Sequence, residues 1–111
     1  APLHGKGIRG QGVRGKGVPC SSTKGHTGHT LGAAGGIEAV ICAIALRDGF
    51  MPGGVGTEEL DSRLRCNYLL QTQTSQMLEQ PLRHVLSNSF GFGGSNCSLI
   101  FSRADAVRVK V

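Results

Sequence analysis

Between Ala33 and Leu46 the chain carries a single charge, Glu38, in a run that is otherwise apolar or glycine. Thr27 is a suitable N-cap, so the spacing predicts a helix from about Gly28 or Thr30 to Arg47. A helix that is apolar on nearly every face belongs inside a protein, and Gly32, Ala33, Ala34, Gly35 and Gly36 allow other backbones to come close. Each glycine costs roughly 1 kcal/mol of helix propensity against alanine. Packing from outside the helix has to supply that, and a chain of 111 residues has few elements to offer. The stretch therefore reads as part of something larger. Its longest wholly apolar run, Val40 to Leu46, is far short of the roughly 20 residues that span a bilayer, so no membrane segment is expected.

The net charge of +5 is unevenly placed. Lys6, Arg9, Arg14 and Lys16 lie in residues 1–17 with no acid among them, and the body of the chain is nearly neutral. Those first residues repeat with a period of five, as in Gly5-Lys6-Gly7-Ile8-Arg9 and Gly10-Gln11-Gly12-Val13-Arg14. So much glycine and so few apolar groups cannot offset backbone entropy, and residues 1–17 read as a disordered tail ahead of one domain, 18–111. The repeat contains Gly5-x-Gly7-x-x-Gly10, but a dinucleotide fingerprint needs a strand before it and a helix after it, and only four residues precede this one. The tail also lacks aromatic residues for base stacking, so any nucleic-acid binding would be electrostatic and salt-dependent rather than specific. Cys20, Cys42, Cys66 and Cys97 show no Cys-x-x-Cys spacing, and no signal-like apolar run opens the sequence. Reduced thiols in the cytoplasm are the expectation.

Elsewhere the coarse reading is a short strand over Pro19 to Thr23, then a tight turn over Gly25 to His29. Asp48 to Gln80 reads as loop, with turn chemistry at Met51-Pro52-Gly53-Gly54, an apolar island at Tyr68-Leu69-Leu70 and an exposed polar stretch from Gln71 to Gln80. Leu82 to Leu86 and Cys97 to Phe101 read as strands of an antiparallel hairpin, joined by a glycine-rich turn from Ser87 to Asn96.

Two segments carry chemistry. In Ser22-Thr23-Lys24-Gly25-His26-Thr27-Gly28-His29-Thr30-Leu31-Gly32-Ala33-Ala34-Gly35 a lysine stands five residues before a histidine at the expected helix start. The positive end of a helix dipole favours a neutral imidazole that donates a hydrogen bond where negative charge develops. Glu38, nine residues after His29, needs a cation nearby, because an unpaired buried carboxylate costs several kcal/mol. Read alone, His29 is more simply a helix cap and Glu38 a solvated acid. His26 reads as a surface histidine, and the scattered His and Cys residues lack the spacing of a metal site, so no metal is expected. The second segment is Asn88-Ser89-Phe90-Gly91-Phe92-Gly93-Gly94-Ser95-Asn96. Taken alone it is a glycine-rich hairpin loop with two phenylalanines.

Together the two segments resemble the C-terminal signatures of the β-ketoacyl-acyl-carrier-protein synthases, the condensing enzymes of fatty acid synthesis. The second segment matches throughout except for Ser95 where threonine is usual. The resemblance runs from Val18 to about Phe101. It implies an α/β fold of the layered thiolase-like type, of which this chain would be the later part of the C-terminal half, a buried helix plus a terminal antiparallel hairpin. It implies decarboxylative condensation of a malonyl thioester with an acyl thioester, by an acyltransferase that needs no metal or organic cofactor. The phosphopantetheine arm would arrive on acyl carrier protein, the implied partner of a homodimeric enzyme. By the same resemblance His29 holds the malonyl thioester oxygen, Lys24 orients the site with Glu38 as its partner, and the Phe92 amide is half of an oxyanion hole whose ring gates the acyl pocket. Thr27, Gly91, Gly93 and Gly94 would line the substrate.

The family also uses a nucleophilic cysteine at a strand-to-helix elbow and an earlier histidine in a His-Gly-Thr motif, and neither motif occurs here. All four cysteines read as small apolar side chains. The expectation is half an active site, inert alone. Two non-catalytic readings remain, a chain-length-factor-like subunit and a basic-tailed fragment that binds nucleic acid.

Overall fold

The computed structural model describes residues 17–106. The expected disordered tail lies outside the described residues except for Gly17. The elements run in the order β1 (Pro19–Cys20), α1 (Lys24–Thr27), α2 (Ala34–Asp48), β2 (Asn67–Tyr68), β3 (His84–Phe90) and β4 (Asn96–Ser102), with short 3-10 turns at Leu31–Ala33, Ser75–Met77 and Ala104–Ala106.

The main helix begins at Ala34, later than the sequence suggests. Gly28 and Leu31 both have positive φ, 74° and 55°, and a right-handed helix cannot pass through either. Thr27 is therefore not the cap of the main helix. It closes the four-residue α1, where its hydroxyl donates to the Gly28 carbonyl at 3.0 Å, and Ala33 stands at the N-cap of α2 without a side-chain bond. The far end stops as expected after Arg47. Gly49 takes the left-handed conformation and its N–H donates to the Ala45 carbonyl at 2.8 Å, satisfying a terminal acceptor.

The hairpin exists, with longer strands and a tighter turn than expected. β3 and β4 pair antiparallel from His84↔Ser102 to Phe90↔Asn96, so Asn88, Ser89 and Phe90 are strand residues rather than turn. Along β3 burial alternates, with Val85, Ser87 and Ser89 half-buried beneath α2 and His84, Leu86, Asn88 and Phe90 exposed on the other side. Polar serines at inward positions hid that alternation in the sequence. At Gly35 the approach is close, since a Cβ there would meet Ser89 Oγ at 3.4 Å.

The stretch read as loop holds a second contact region. β1 pairs parallel with β2, Pro19↔Asn67 and Cys20↔Tyr68, and the Leu69 N–H donates to the Cys20 carbonyl at 2.9 Å. Met51 and Gln73 exchange backbone bonds at 2.8 Å each, and the Gly54 N–H donates to Leu69 at 2.9 Å. Residues 51–54 thus lie along residues 69–73, so close that a Cβ on Gly53 would sit 2.3 Å from the Gln71 carbonyl carbon. Gln73 is buried here, against the expected exposure of the whole Gln71–Gln80 stretch.

Among the described residues the buried apolar core is Ala45, Leu46 and Leu69 alone. The apolar helix is not enclosed: Val40 is 59% exposed, Ile44 is exposed as well, and Cys42 is only part-buried. No helix among the described residues is long and apolar enough to cross a membrane.

Two glycine substitutions test this packing in opposite directions. Gly53→Ala forces a side chain into backbone that cannot rotate away and should cost at least about 1–3 kcal/mol. Gly36→Ala points into open space within α2 and should gain up to about 1 kcal/mol from helix propensity. Urea denaturation midpoints that move the same way for both would contradict the arrangement.

Candidate active site

Lys24 opens α1, just beyond the strand that β2 and Leu69 hold in place. Its helix lies tight against the 51–58 loop, since a Cβ on Gly25 would meet the Val55 carbonyl oxygen at 2.8 Å. From there the Lys24 ammonium donates to Glu38 Oε2 in the second turn of α2. The Glu38 side chain is 17% exposed and that of Lys24 39%, so water screens the pair in part. A pair this exposed adds at most about 1 kcal/mol of stability, and its larger effect is to fix Lys24 over the start of α2.

His29 lies between α1 and α2, not at a helix N-terminus, so the helix-dipole argument for its neutrality does not hold for this geometry. A different contact governs the ring. The Leu31 N–H donates to His29 Nδ1 at 3.1 Å, which places the proton of a neutral imidazole on Nε2. That arrangement depends on Leu31, whose φ of 55° is unusual for a branched residue and is sustained only where surroundings impose it. Leu31 is a residue that sequence reasoning missed, and no signal pointed to it, because leucine disfavours this conformation. His29 is exposed among the described residues.

Phe92 sits at the second position of the turn Gly91–Gly94, closed by the Gly94 N–H donating to Gly91 at 3.0 Å. The Gly91 amide is also used, donating to Ser95 at 2.7 Å, whereas the amides of Phe92 and Gly93 have no partner among the described residues. Gly94, at φ 95°, permits the reversal. The Phe92 ring is fully exposed. The structure thus joins Lys24 to Glu38, and joins the two signature segments where Ser89 meets Gly35. Thr27 spends its hydroxyl on local carbonyls, and the ring of Phe92 projects from the hairpin tip without a wall beside it.

Residues 6–58 match the family described as "Beta-ketoacyl synthase, C-terminal domain". The chain belongs to the β-ketoacyl synthases. The match opens at Lys6, within the segment read as a tail, and ends before the hairpin. The chain is 43% identical over 82 residues to "3-oxoacyl-[acyl-carrier-protein] synthase, mitochondrial" of Arabidopsis thaliana, covering 74% of this chain and 17% of that one. It is 44% identical over 84 residues to synthase 1 of Haemophilus influenzae, covering 75% and 20%. It is 41% identical over 83 residues to synthase 1 of Escherichia coli K12, again covering 75% and 20%. The chain spans about a fifth of the length of these relatives. Membership of this synthase family implies a thiolase-like fold, to which the helix and antiparallel hairpin conform.

Two of the cysteines are poorly suited to be the synthase nucleophile. Burial pushes the Cys20 thiol up to about 11, aided by a hydrogen bond with Cys66 and by the Cys66 charge. Burial also pushes Cys42 up, against a hydrogen bond from Ser87 that pulls it down, with the Glu38 charge adding to the rise. Cys97 is exposed, and Cys20 exposes much of its surface while its thiol is partly sheltered, so neither is packed as a small apolar side chain. No group of three or more His, Cys, Asp or Glu among the described residues is placed to hold a metal ion.

The position of Cys20 gives a pH test. Only thiolate is alkylated, and the folded thiol titrates at about 11. Between about pH 8 and 10 its rate with iodoacetamide should rise about tenfold per unit without levelling. A plateau near pH 9 would show an unperturbed thiol.

Proposed function

We propose that the chain supplies the malonyl-decarboxylating side of a 3-oxoacyl-acyl-carrier-protein synthase site. Two observations support this: the Lys24–Glu38 pair, and a histidine in the same segment whose Nδ1 is already occupied by the Leu31 amide. An imidazole held this way presents Nε2–H as a donor. Such a donor stabilises the thioester oxygen of a malonyl group as its terminal carbon–carbon bond breaks, carbon dioxide leaves and an enolate forms. The enolate carbon then attacks an acyl thioester, expelling the thiolate that had carried the acyl group.

In this reading Lys24 holds the electrostatic frame around His29, and Glu38 keeps Lys24 in place. The unpaired Phe92 amide is one donor of the oxyanion hole, and its ring becomes a gate once another part of the enzyme lies beside it. Thr27 and the turn glycines Gly91, Gly93 and Gly94 border the path of the phosphopantetheine arm, which acyl carrier protein brings. The reaction asks for no resident metal or organic cofactor, and the assembled enzyme is a cytoplasmic homodimer in which α2 becomes a buried layer of the thiolase fold. The nucleophilic cysteine and the first histidine lie on residues outside this chain.

The test is reconstitution. With acylated and malonylated carrier protein, the chain alone should form neither acyl-enzyme nor β-ketoacyl product. Adding the portion of the Haemophilus influenzae synthase that precedes the matching segment, fused or as a second chain, should restore both. In the restored enzyme His29→Ala should lower turnover by about 10²–10³, the loss typical of removing one oxyanion donor. Undiminished turnover, or acylation of Cys20, Cys42, Cys66 or Cys97 at a catalytic rate in the chain alone, would overturn the assignment. Glu38→Ala in the same enzyme should cost at least about tenfold, because Lys24 loses its anchor and the site its geometry. Full activity in that variant would make the ion pair incidental.

A further inference from the structure

From Val85 to Ser102 the hairpin has no charged residue, and its turn is rich in glycine, so composition does little to fix how far one strand slides along the other. The face under α2 does not decide it. There Ser87 stands opposite Leu99 and Ser89 opposite Cys97, and a slide of two residues would set Ser87 opposite Phe101 and Ser89 opposite Leu99, pairs no worse matched. The other face does discriminate. It sets His84 opposite Ser102, Leu86 opposite Ile100 and Asn88 opposite Ser98, whereas the same slide would put Leu86 opposite Ser102 and Asn88 opposite Ile100, apolar against polar. One contact on that face lies close to the turn. The Ser98 hydroxyl donates to Asn88 Oδ1 at 2.6 Å. Backbone bonds from Gly91 to Ser95 and from Arg103 to Arg83 mark the odd-numbered pairs as the hydrogen-bonded ones, so Asn88 and Ser98 form the other kind, in which side chains stand closer.

We propose that Asn88 and Ser98 are positioning residues, whose side-chain bond locks the register of the hairpin and so keeps Phe92 in the turn. Its consequence for catalysis rests on the reading of the Phe92 amide as an oxyanion donor. In the observed register Phe90 faces Asn96, Gly91 bonds Ser95, and Phe92 stands at the second position of the reversal. After the slide Phe92 would face Asn96 as a strand residue, and the reversal would be made by residues 93–95. The turn would then no longer place the amide. A donor displaced from where the oxyanion forms loses its effect on the rate, although the fold around it survives. Asn88 and Ser98 touch no reacting atom in this scheme and act only through the turn.

The register can be read in the full 111-residue chain without any activity, from amide exchange and from the Hα–Hα cross-peak between Phe90 and Asn96 in nuclear magnetic resonance. Ser98→Ala should weaken that cross-peak and raise exchange of the Gly91 amide about fivefold relative to the Arg103 amide at the far end of the hairpin. Ser98→Thr keeps the hydroxyl and should restore both. Asn88→Ala should repeat the effect, serving also where Ser98→Ala does not fold, and the double substitution should add nothing to either single one. Equal rises at Gly91 and Arg103 would mean a general loss of stability and would overturn the lock. The catalytic consequence is measured in the enzyme restored with the Haemophilus influenzae portion, where Ser98→Ala should lower kcat about fivefold with KM for malonylated carrier protein unchanged, and Ser98→Thr should recover it. A slid register with unchanged kcat would overturn the positioning role and the Phe92 donor with it. Unchanged exchange in every variant would overturn the lock and leave that donor untouched.

Discussion

The contact of residues 51–54 with residues 69–73 is what the rest of this structure hangs from. It is a backbone contact, made possible where Gly53 meets the Gln71 carbonyl carbon with no room for a side chain. Leu69, at one end of it, is one of the few buried apolar residues and its N–H also donates to the carbonyl of Cys20, so β1 is held from the same point. Ser21 adds a hydroxyl bond to the Pro52 carbonyl. Since α1 follows β1 within four residues, the position of Lys24 is inherited from this clasp rather than from a hydrophobic core. With so little apolar burial, hydrogen bonds and close backbone contact carry more of the organisation than is usual for a domain.

The second organising contact is α2 on the hairpin. Its sense is set by Gly35 against Ser89 at one end and by Gly49 ending the helix at the other. This brings the start of α2, with Glu38, towards the turn that carries Phe92. The two signature segments are some fifty residues apart in the chain, and this single packing contact brings them side by side.

Much of this was legible in the residues. The helix that ends one residue beyond Arg47, the antiparallel hairpin and the pairing of Glu38 with a nearby cation followed from hydrophobic pattern, strand propensity and the cost of burying a charge. The helix start was not, because it depends on a leucine in a conformation that leucine disfavours, and the helix-dipole account of His29 failed with it. β2 was missed because its pairing joins residues 19–20 to 67–68, a contact that no local period reveals. The inward face of β3 was hidden for a simpler reason: Ser87 and Ser89 read as turn residues, although they lie under α2.

The two-stranded hairpin has a further consequence for how such a chain behaves among its own kind. Among the described residues β3 and β4 each pair on one side only, and each leaves its other seven-residue edge with unpaired backbone donors and acceptors. Exposed Leu86, Phe90 and Ile100 line the same sheet. Open edges beside apolar side chains are templates for strand addition from another molecule. When the chain is made on its own, intramolecular folding therefore competes with edge-to-edge association, a second-order process. Dilution favours the folded monomer, and crowding at synthesis favours fibrous or amorphous aggregates. A neighbouring strand that capped either edge would protect solubility as much as it would add stability.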